Sequence, residues 1–328
     1  MTAGGVRRLA VLAALTIVVT GCGTDVKPKA LPTTAPPSPK SAVGDCGALR
    51  IAYDPSNGYE ASAFVIGALA RSELECDVTY VKTTSREAWR VVAKGNADIY
   101  LDAYGSPDLS ETLAGEGGPV TVLGPNGIRG GVDLLAPFFM QDDGIVAARD
   151  LEELPADYFG SVTPSISTVP ALLPLAQSFV DFQQLDFNVE DYVLTHPRAG
   201  MGDLLQAPAV NDRNGSSAFF LVEGPRAFLG DGPGRLSIEI PDSAAGQCTP
   251  AQAATLCSLA DFEYLKIVNS EFADSRNPAY NLVYNYWLPD AQAATILELV
   301  GLSGLDVGEA DVVSWINTHE DVWERWLE

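Results

Sequence analysis

The chain has 328 residues, with 20 basic against 43 acidic side chains and a formal charge of −23. So acidic a molecule repels nucleic acid and anionic lipid surfaces, and neither is expected as a partner. An apolar fraction of 47% with five tryptophans supports a sizeable packed core and excludes a wholly disordered chain.

The N-terminus reads as a targeting segment. Arg7 and Arg8 precede an uncharged apolar run from Leu9 to Val19. That run is shorter than the roughly 20 residues that a spanning helix needs, so residues 1–21 read as a signal peptide. The order Val19-Thr20-Gly21-Cys22 resembles a bacterial lipobox. The resemblance implies cleavage before Cys22 and lipid on its thiol and new amine. The competing reading is an ordinary signal peptide with a chance cysteine. Residues 22–43 carry Pro28, Pro32, Pro36, Pro37 and Pro39 among Lys, Thr and Ser. Such a segment buries no core and stays extended, a leash of up to roughly 60 Å at about 3.1 Å per residue.

About 285 residues follow, comfortable for two lobes. Cys22 apart, they hold Cys46, Cys76, Cys248 and Cys257. Cys46 just precedes the strand-like run Leu49–Tyr53, and Cys76 just precedes Val78–Val81. If those strands are parallel neighbours, both cysteines lie at one edge. The expected bridges are 46–76 and 248–257, although four cysteines allow three pairings. The spacings fit no zinc site, and the chain has only two histidines.

The strand Leu49–Tyr53 leads into a loop, Asp54 to Gly58, and then a helix over Glu60–Ser72 with Ala63, Ile66, Gly67 and Ala70 at helical spacing. The strand Val78–Val81 follows. Thr84 and Glu87 form a capping box for a helix over Ser85–Lys94, with Gly95 as its terminator. The strand Asp98–Asp102 completes a βαβαβ unit, so a parallel sheet with right-handed crossovers is expected. Ligands bind beyond the carboxyl ends of such strands. Those ends carry Asp54 with the loop to Tyr59, and Asp102-Ala103-Tyr104. The segment Val120–Pro137 reads as a crossover, with a strand at Val132–Ala136. A second set follows: a turn over Gly160–Pro164, helices around Pro170–Gln184 and Met201–Gln206, and a strand at Ser217–Val222. After Leu236–Ile240 the chain is read as returning to the first lobe, and Asp290–Leu327 as helical.

The stretch from Gly95 to Asp108, Gly-Asn-Ala-Asp-Ile-Tyr-Leu-Asp-Ala-Tyr-Gly-Ser-Pro-Asp, is similar to the Gly-Asp-(Ile/Ala)-Asp…Glu-Ala-Trp-Leu-Pro-Asp motif of glycine betaine/choline-type solute receptors. Ile51-Ala52-Tyr53 fits their first strand, and Val312 to Leu327 resembles their closing helices. The resemblance implies an α/β, type II periplasmic-binding-protein-like fold, each lobe a sheet flanked by helices with a hinge between. Lobe I would span about 46–133 and 236–328, and lobe II about 134–235. It further implies a monomeric ATP-binding-cassette substrate-binding lipoprotein on the extracytoplasmic face of the cell membrane. Its partners would be permease subunits and a small quaternary-amine or zwitterionic solute such as glycine betaine, choline or carnitine. No catalysis and no cofactor are implied.

Receptors of that family cage an ammonium among aromatic faces. Tyr104 stands where the first cage ring is expected. The second-lobe region, Pro164-Ser165-Ile166-Ser167-Thr168, holds no ring. The third reads Val222-Glu223-Gly224-Pro225-Arg226, with Glu223 in the ring's place and Arg226 in that of a histidine. Glu223 would offer charge to a cationic head, and Arg226 a fork for a carboxylate. Ser165, Ser167 and Thr168, if they open a helix, would offer hydroxyl and amide groups to an anion. A Glu223–Arg226 salt bridge without a ligand role is the plain alternative. Asp54 and Tyr59 complete the candidate set, with a structural turn as their competing role. Trp89, Phe138, Phe139, Tyr280, Tyr284, Tyr286, Trp287, Trp315, Trp323 and Trp326 are read as packing, and His196 and His319 as surface residues.

Enzyme motifs are lacking: there is no Gly-x-Ser-x-Gly elbow, no His-Glu-x-x-His and no phosphate loop. Asp54 with Asp102 is a conceivable glycosidase pair that nothing singles out. The stronger alternative to transport is a lipid-anchored binding or sensing module.

Overall fold

The computed structural model describes residues 45–55, 59–104, 107–155, 157–160, 163–196, 201–240, 262–301 and 309–328. The signal peptide, Cys22, the leash, and the Cys248–Cys257 pair lie outside the described residues.

The first unit is β1 (Ala48–Tyr53), α1 (Tyr59–Leu74), β2 (Asp77–Lys82), α2 (Ser85–Ala93) and β3 (Ile99–Ala103). As the alternation predicts, β1 pairs in parallel with both β2 and β3. The Thr84 hydroxyl accepts from the Glu87 amide at 3.4 Å, and Gly95 closes α2 at φ +67°. Trp89 on α2 is buried, as expected of packing. The register Ala48↔Asp77 sets Cys46 and Cys76 side by side, and a disulfide joins them.

After α3 (Pro107–Leu113), β4 (Val120–Pro137) runs for 18 residues. Then come β5 (Ser165–Thr168), α4 (Leu173–Gln183), β6 (Asn188–Asp191), α5 (Tyr192–Thr195), α6 (Met201–Asn214), β7 (Phe219–Pro225) and β8 (Arg235–Ser237). The C-terminal part holds β9 (Phe262–Asn269), α7 (Ser270–Asp274), α8 (Ala279–Asn285), α9 (Asp290–Gly301), α10 (Glu309–Ile316) and α11 (Glu320–Trp323). The sheet order is β2-β1-β3-β9-β4-β7-β5-β6, with β8 on β4. The molecule is two-lobed, and β4 belongs to both halves. It pairs with β9 as far as Gly130↔Phe262, and with β7 from Gly130↔Pro225 onward.

Three sequence expectations are corrected. The first sheet is not all parallel, because β9 lies antiparallel between β3 and β4. Its run Phe-Glu-Tyr-Leu-Lys-Ile-Val-Asn hides a strand signal behind Lys266, which is buried and donates to the Tyr284 and Tyr286 carbonyls at 2.6 and 2.7 Å. Ser165, Ser167 and Thr168 do not open a helix; they form β5. Ile166 and Thr168 alternate inward, and Val169 is held extended before Pro170, so α4 begins only at Leu173. Phe138 and Trp287 are exposed rather than packed, whereas Tyr280, Tyr286, Trp315, Trp323 and Trp326 are buried. Among the described residues, no helix is long and apolar enough to cross a membrane.

The Cys46–Cys76 bridge closes a loop with a sequence separation of 30. Replacing both cysteines with alanine should lower the free energy of unfolding by about 3–4 kcal/mol, read from urea denaturation. A change below about 1 kcal/mol would contradict a constraining role.

Candidate functional site between the two halves

The site begins with a bulge. Tyr100 pairs with Ile267 and Ala103 with Leu265, so β3 takes three steps where β9 takes two. A bulge at a strand end re-aims a side chain. Here the residue at the irregularity is Asp102, only 2% exposed. Its Oδ1 accepts from the Ser62 hydroxyl of α1 at 2.7 Å and from the Asn126 amide of β4 at 2.9 Å. Tyr286 donates in turn to Ser62 at 3.0 Å. Among the described residues, no group hydrogen-bonds Oδ2. Burial pushes the Asp102 carboxyl well above the usual range. The Ser62 and Asn126 bonds oppose the rise, and the Glu60 and Asp54 carboxylates add to it.

Asn126 is positioned by a second irregularity. Its Oδ1 accepts from the Ile128 amide at 2.8 Å, and its carbonyl accepts from the Leu288 amide at 2.8 Å. Gly127 follows at φ +96°, and a Cβ there would lie 2.7 Å from the Leu288 carbonyl oxygen. Only glycine fits that approach.

Asp54 sits at the end of β1, 8% exposed. Its Oδ2 accepts from the Ser85 amide and hydroxyl at 2.7 and 2.9 Å, and Tyr100 donates to that hydroxyl at 3.0 Å. It thereby anchors the start of α2, which supports the structural-turn role alongside the site role. Glu60, in the first turn of α1, is 7% exposed. Tyr59 opens α1, and its side chain lies outside what is described.

From the other half, Glu223 of β7 reaches back. Its Oε1 accepts from the Tyr104 hydroxyl at 2.5 Å. The Tyr104 ring stacks on Phe262, with centroids 4.7 Å apart and planes 11° apart, and meets Tyr264 edge-on at 5.3 Å. A side chain at Gly130 would strike the Phe262 ring, so this stack depends on the glycine. Burial raises the Glu223 carboxyl, the Tyr104 bond lowers it, and Asp54 raises it further. Asp54 thus lies between the Asp102 and Glu223 groups electrostatically.

The Glu223–Arg226 salt bridge does not form. Glu223 pairs with Val132, so the two share one face of the β4–β7 ladder, and Asp133 lies on the other. Arg226 turns after Pro225, lies over Gly131, and pairs with Asp133 at 2.5 Å. The Gly230 amide and Ser237 hydroxyl also donate to Asp133, at 2.9 and 3.1 Å. Thr168 is buried and donates to the Leu221 carbonyl at 2.6 Å. Among the described residues, no recorded contact joins Ser165, Ser167 or Thr168 to Tyr104 or Glu223.

The structure therefore brings Asp54, Tyr104 and Glu223 together and adds Asp102, Glu60, Ser62 and Asn126. Sequence reasoning placed Asp102 at a strand end but took Glu60 only as a helix start. The turn signal Pro125-Asn126-Gly127, inside a strand-like run, is what could have exposed Asn126.

No family model matches the chain, and no curated protein matches it. Solved structures do. Lactococcal OpuAC, closed on glycine betaine, aligns at a TM-score of 0.60 with 15% identity, over 86% of this chain and 100% of that one. The fold is that of two-lobed solute-binding proteins. ProX of Borrelia burgdorferi, a glycine betaine/L-proline-binding protein, aligns at 0.60 with 12% identity over 85% and 98% of the two chains. A choline-binding protein in complex with choline aligns at 0.58 with 14% identity over 86% and 92%.

A carboxyl whose pKa is raised by folding binds its proton more tightly in the folded state. Stability is then greatest below the unfolded value of about 4 and falls as pH rises toward the raised one. Both Asp102 and Glu223 have this sign. Asp102→Asn should raise the melting temperature at pH 7.5, by about 2–4 °C per kcal/mol of desolvation relieved, and flatten its fall above pH 4. An unchanged pH profile would show that Asp102 does not titrate in this way.

Proposed function

We propose that the chain is the extracytoplasmic solute-binding subunit of an ATP-binding-cassette importer, tethered by lipid at Cys22. It takes a small amine-derived cation or zwitterion between its halves. The observation that carries this reading is the Tyr104–Glu223 hydrogen bond, made between the two halves beside Asp54. Two lobes that meet through polar side chains at the carboxyl ends of β1 and β3 have the geometry of a closing receptor. Closure on solute would present a changed surface to permease subunits, with residues 22–43 as the leash. Lobe I is proposed as about 46–133 and 236–328, and lobe II as about 134–235.

The solute proteins named in the comparisons bind glycine betaine, L-proline or choline. Tyr104 and Tyr59 are the candidates with an aromatic ring, and Glu223 and Asp54 supply charge. Arg226, held by Asp133 on the ladder face away from Glu223, is left out of the proposed solute contacts. The absence of rings from Pro164–Thr168 and at Glu223 favours a second reading, a lipid-anchored sensing module that has left transport.

A thermal-shift screen of the leaderless chain against betaine, choline, carnitine, proline, ectoine and polyamines separates the two. A receptor should show a saturable rise, following RT ln(1 + [L]/Kd). No rise with any of them contradicts the importer reading. With a solute in hand, Tyr104→Ala should weaken binding about tenfold or more, while Trp89→Phe, on the buried face of α2, should leave it within about twofold. Equal losses would remove Tyr104 from the site.

A further inference from the structure

The halves meet over a row of carboxylates: Glu60, Asp102 and Asp54 from one side and Glu223 from the other. The row alone would not make a site. The second observation is Asp102 Oδ2, an oxygen of a side chain 2% exposed that no group among the described residues hydrogen-bonds. Oδ1 of the same carboxyl already has two donors, from Ser62 and Asn126. The charged neighbours that act on Asp102 are Glu60 and Asp54, so its charged surroundings are negative. Glu223 has one donor, Tyr104, and Asp54 as its charged neighbour.

A buried acceptor of this kind is satisfied by an N–H or O–H group, not by a methyl group. A quaternary ammonium has no such bond and is held by aromatic faces instead. Here one face of Tyr104 is taken by Phe262, and its hydroxyl is given to Glu223. The region of β5 offers only Ser165, Ile166, Ser167 and Thr168. Among the described residues, β5 adds no ring to the group of Tyr104, Phe262 and Tyr264.

We infer that the site selects an organic cation through its N–H bonds. The solute class is a primary or secondary ammonium, or an amidinium, that donates into the carboxylate row at Asp102 and Glu223. The inference rests on the receptor reading and narrows it. Full N-methylation removes every N–H donor and adds bulk where the carboxylates stand, so it abolishes the advantage. Sites built to hydrogen-bond a polar group reject analogues without it far more strongly than apolar pockets reject a methyl group.

The test is isothermal titration calorimetry on the full chain as processed by its host, with two series. One runs from ethanolamine through its N-methyl and N,N-dimethyl forms to choline. The other pairs 1,4-diaminobutane with its fully N-methylated bis-quaternary form. The primary member should bind at least about tenfold more tightly than the quaternary member of its series. Asp102→Asn should reduce that preference to about threefold or less. Should that variant fail to fold, Glu223→Gln provides the same test. Equal or tighter binding of the quaternary members overturns the inference and leaves the receptor reading intact, as does a preference that survives both variants. Silence of both series also overturns it. Betaine, carnitine, proline or ectoine shifting the melting temperature would then show that the receptor reading had survived alone.

Discussion

One strand has to serve two ladders. β4 gives its first part to β9 and its last part to β7, and the handover falls at Gly130-Gly131. The two glycines let flat groups lie on bare backbone: Phe262 over Gly130 and the Arg226 guanidinium over Gly131. Phe262 in turn carries Tyr104, and Arg226 is drawn to Asp133 on the ladder face away from Glu223. Glu223 is left to face the other half. The positions of Tyr104, Glu223 and Arg226 follow from where β4 changes partners.

The same seam concentrates like charge. Burial and neighbouring carboxylates disfavour the charged forms of Asp102 and Glu223, a poor choice for stability alone. The hydrogen bonds from Ser62, Asn126, Ser85 and Tyr104 offset part of that cost. They are also geometric: each fixes one oxygen and leaves the direction of the carboxyl set. On the proposed role, a solute would supply the donor that Asp102 Oδ2 lacks among the described residues, and stability given up in the empty protein would be recovered on binding.

Much of the fold was legible because local signals agree with the global one. The capping box at Thr84 and Glu87, the terminator Gly95 and the βαβαβ alternation all stand in the structure. The pairing of Cys46 with Cys76 followed from reading two strands as parallel neighbours. β9 was not legible, because its central Lys266 breaks the apolar pattern and is satisfied by carbonyls distant in sequence. β5 was misread because two serines before a proline mimic a helix start. At the candidate site, Tyr104 and Glu223 were proposed from their place in a motif, and the structure joins them by a hydrogen bond. Arg226 was set against the wrong partner, since the face on which a side chain lies depends on register that one strand alone does not state. Glu60, Ser62 and Asn126 became visible only once α1 and the two bulges were placed around Asp102.

The most direct test of a cation-binding seam is a crystal structure of the chain grown with whichever amine binds most tightly. The account predicts the ligand between the halves, its nitrogen within hydrogen-bonding distance of Asp102 Oδ2 or Glu223, and Tyr104 against it. A ligand bound elsewhere, with both carboxylates still served only by the protein's own donors, would contradict it.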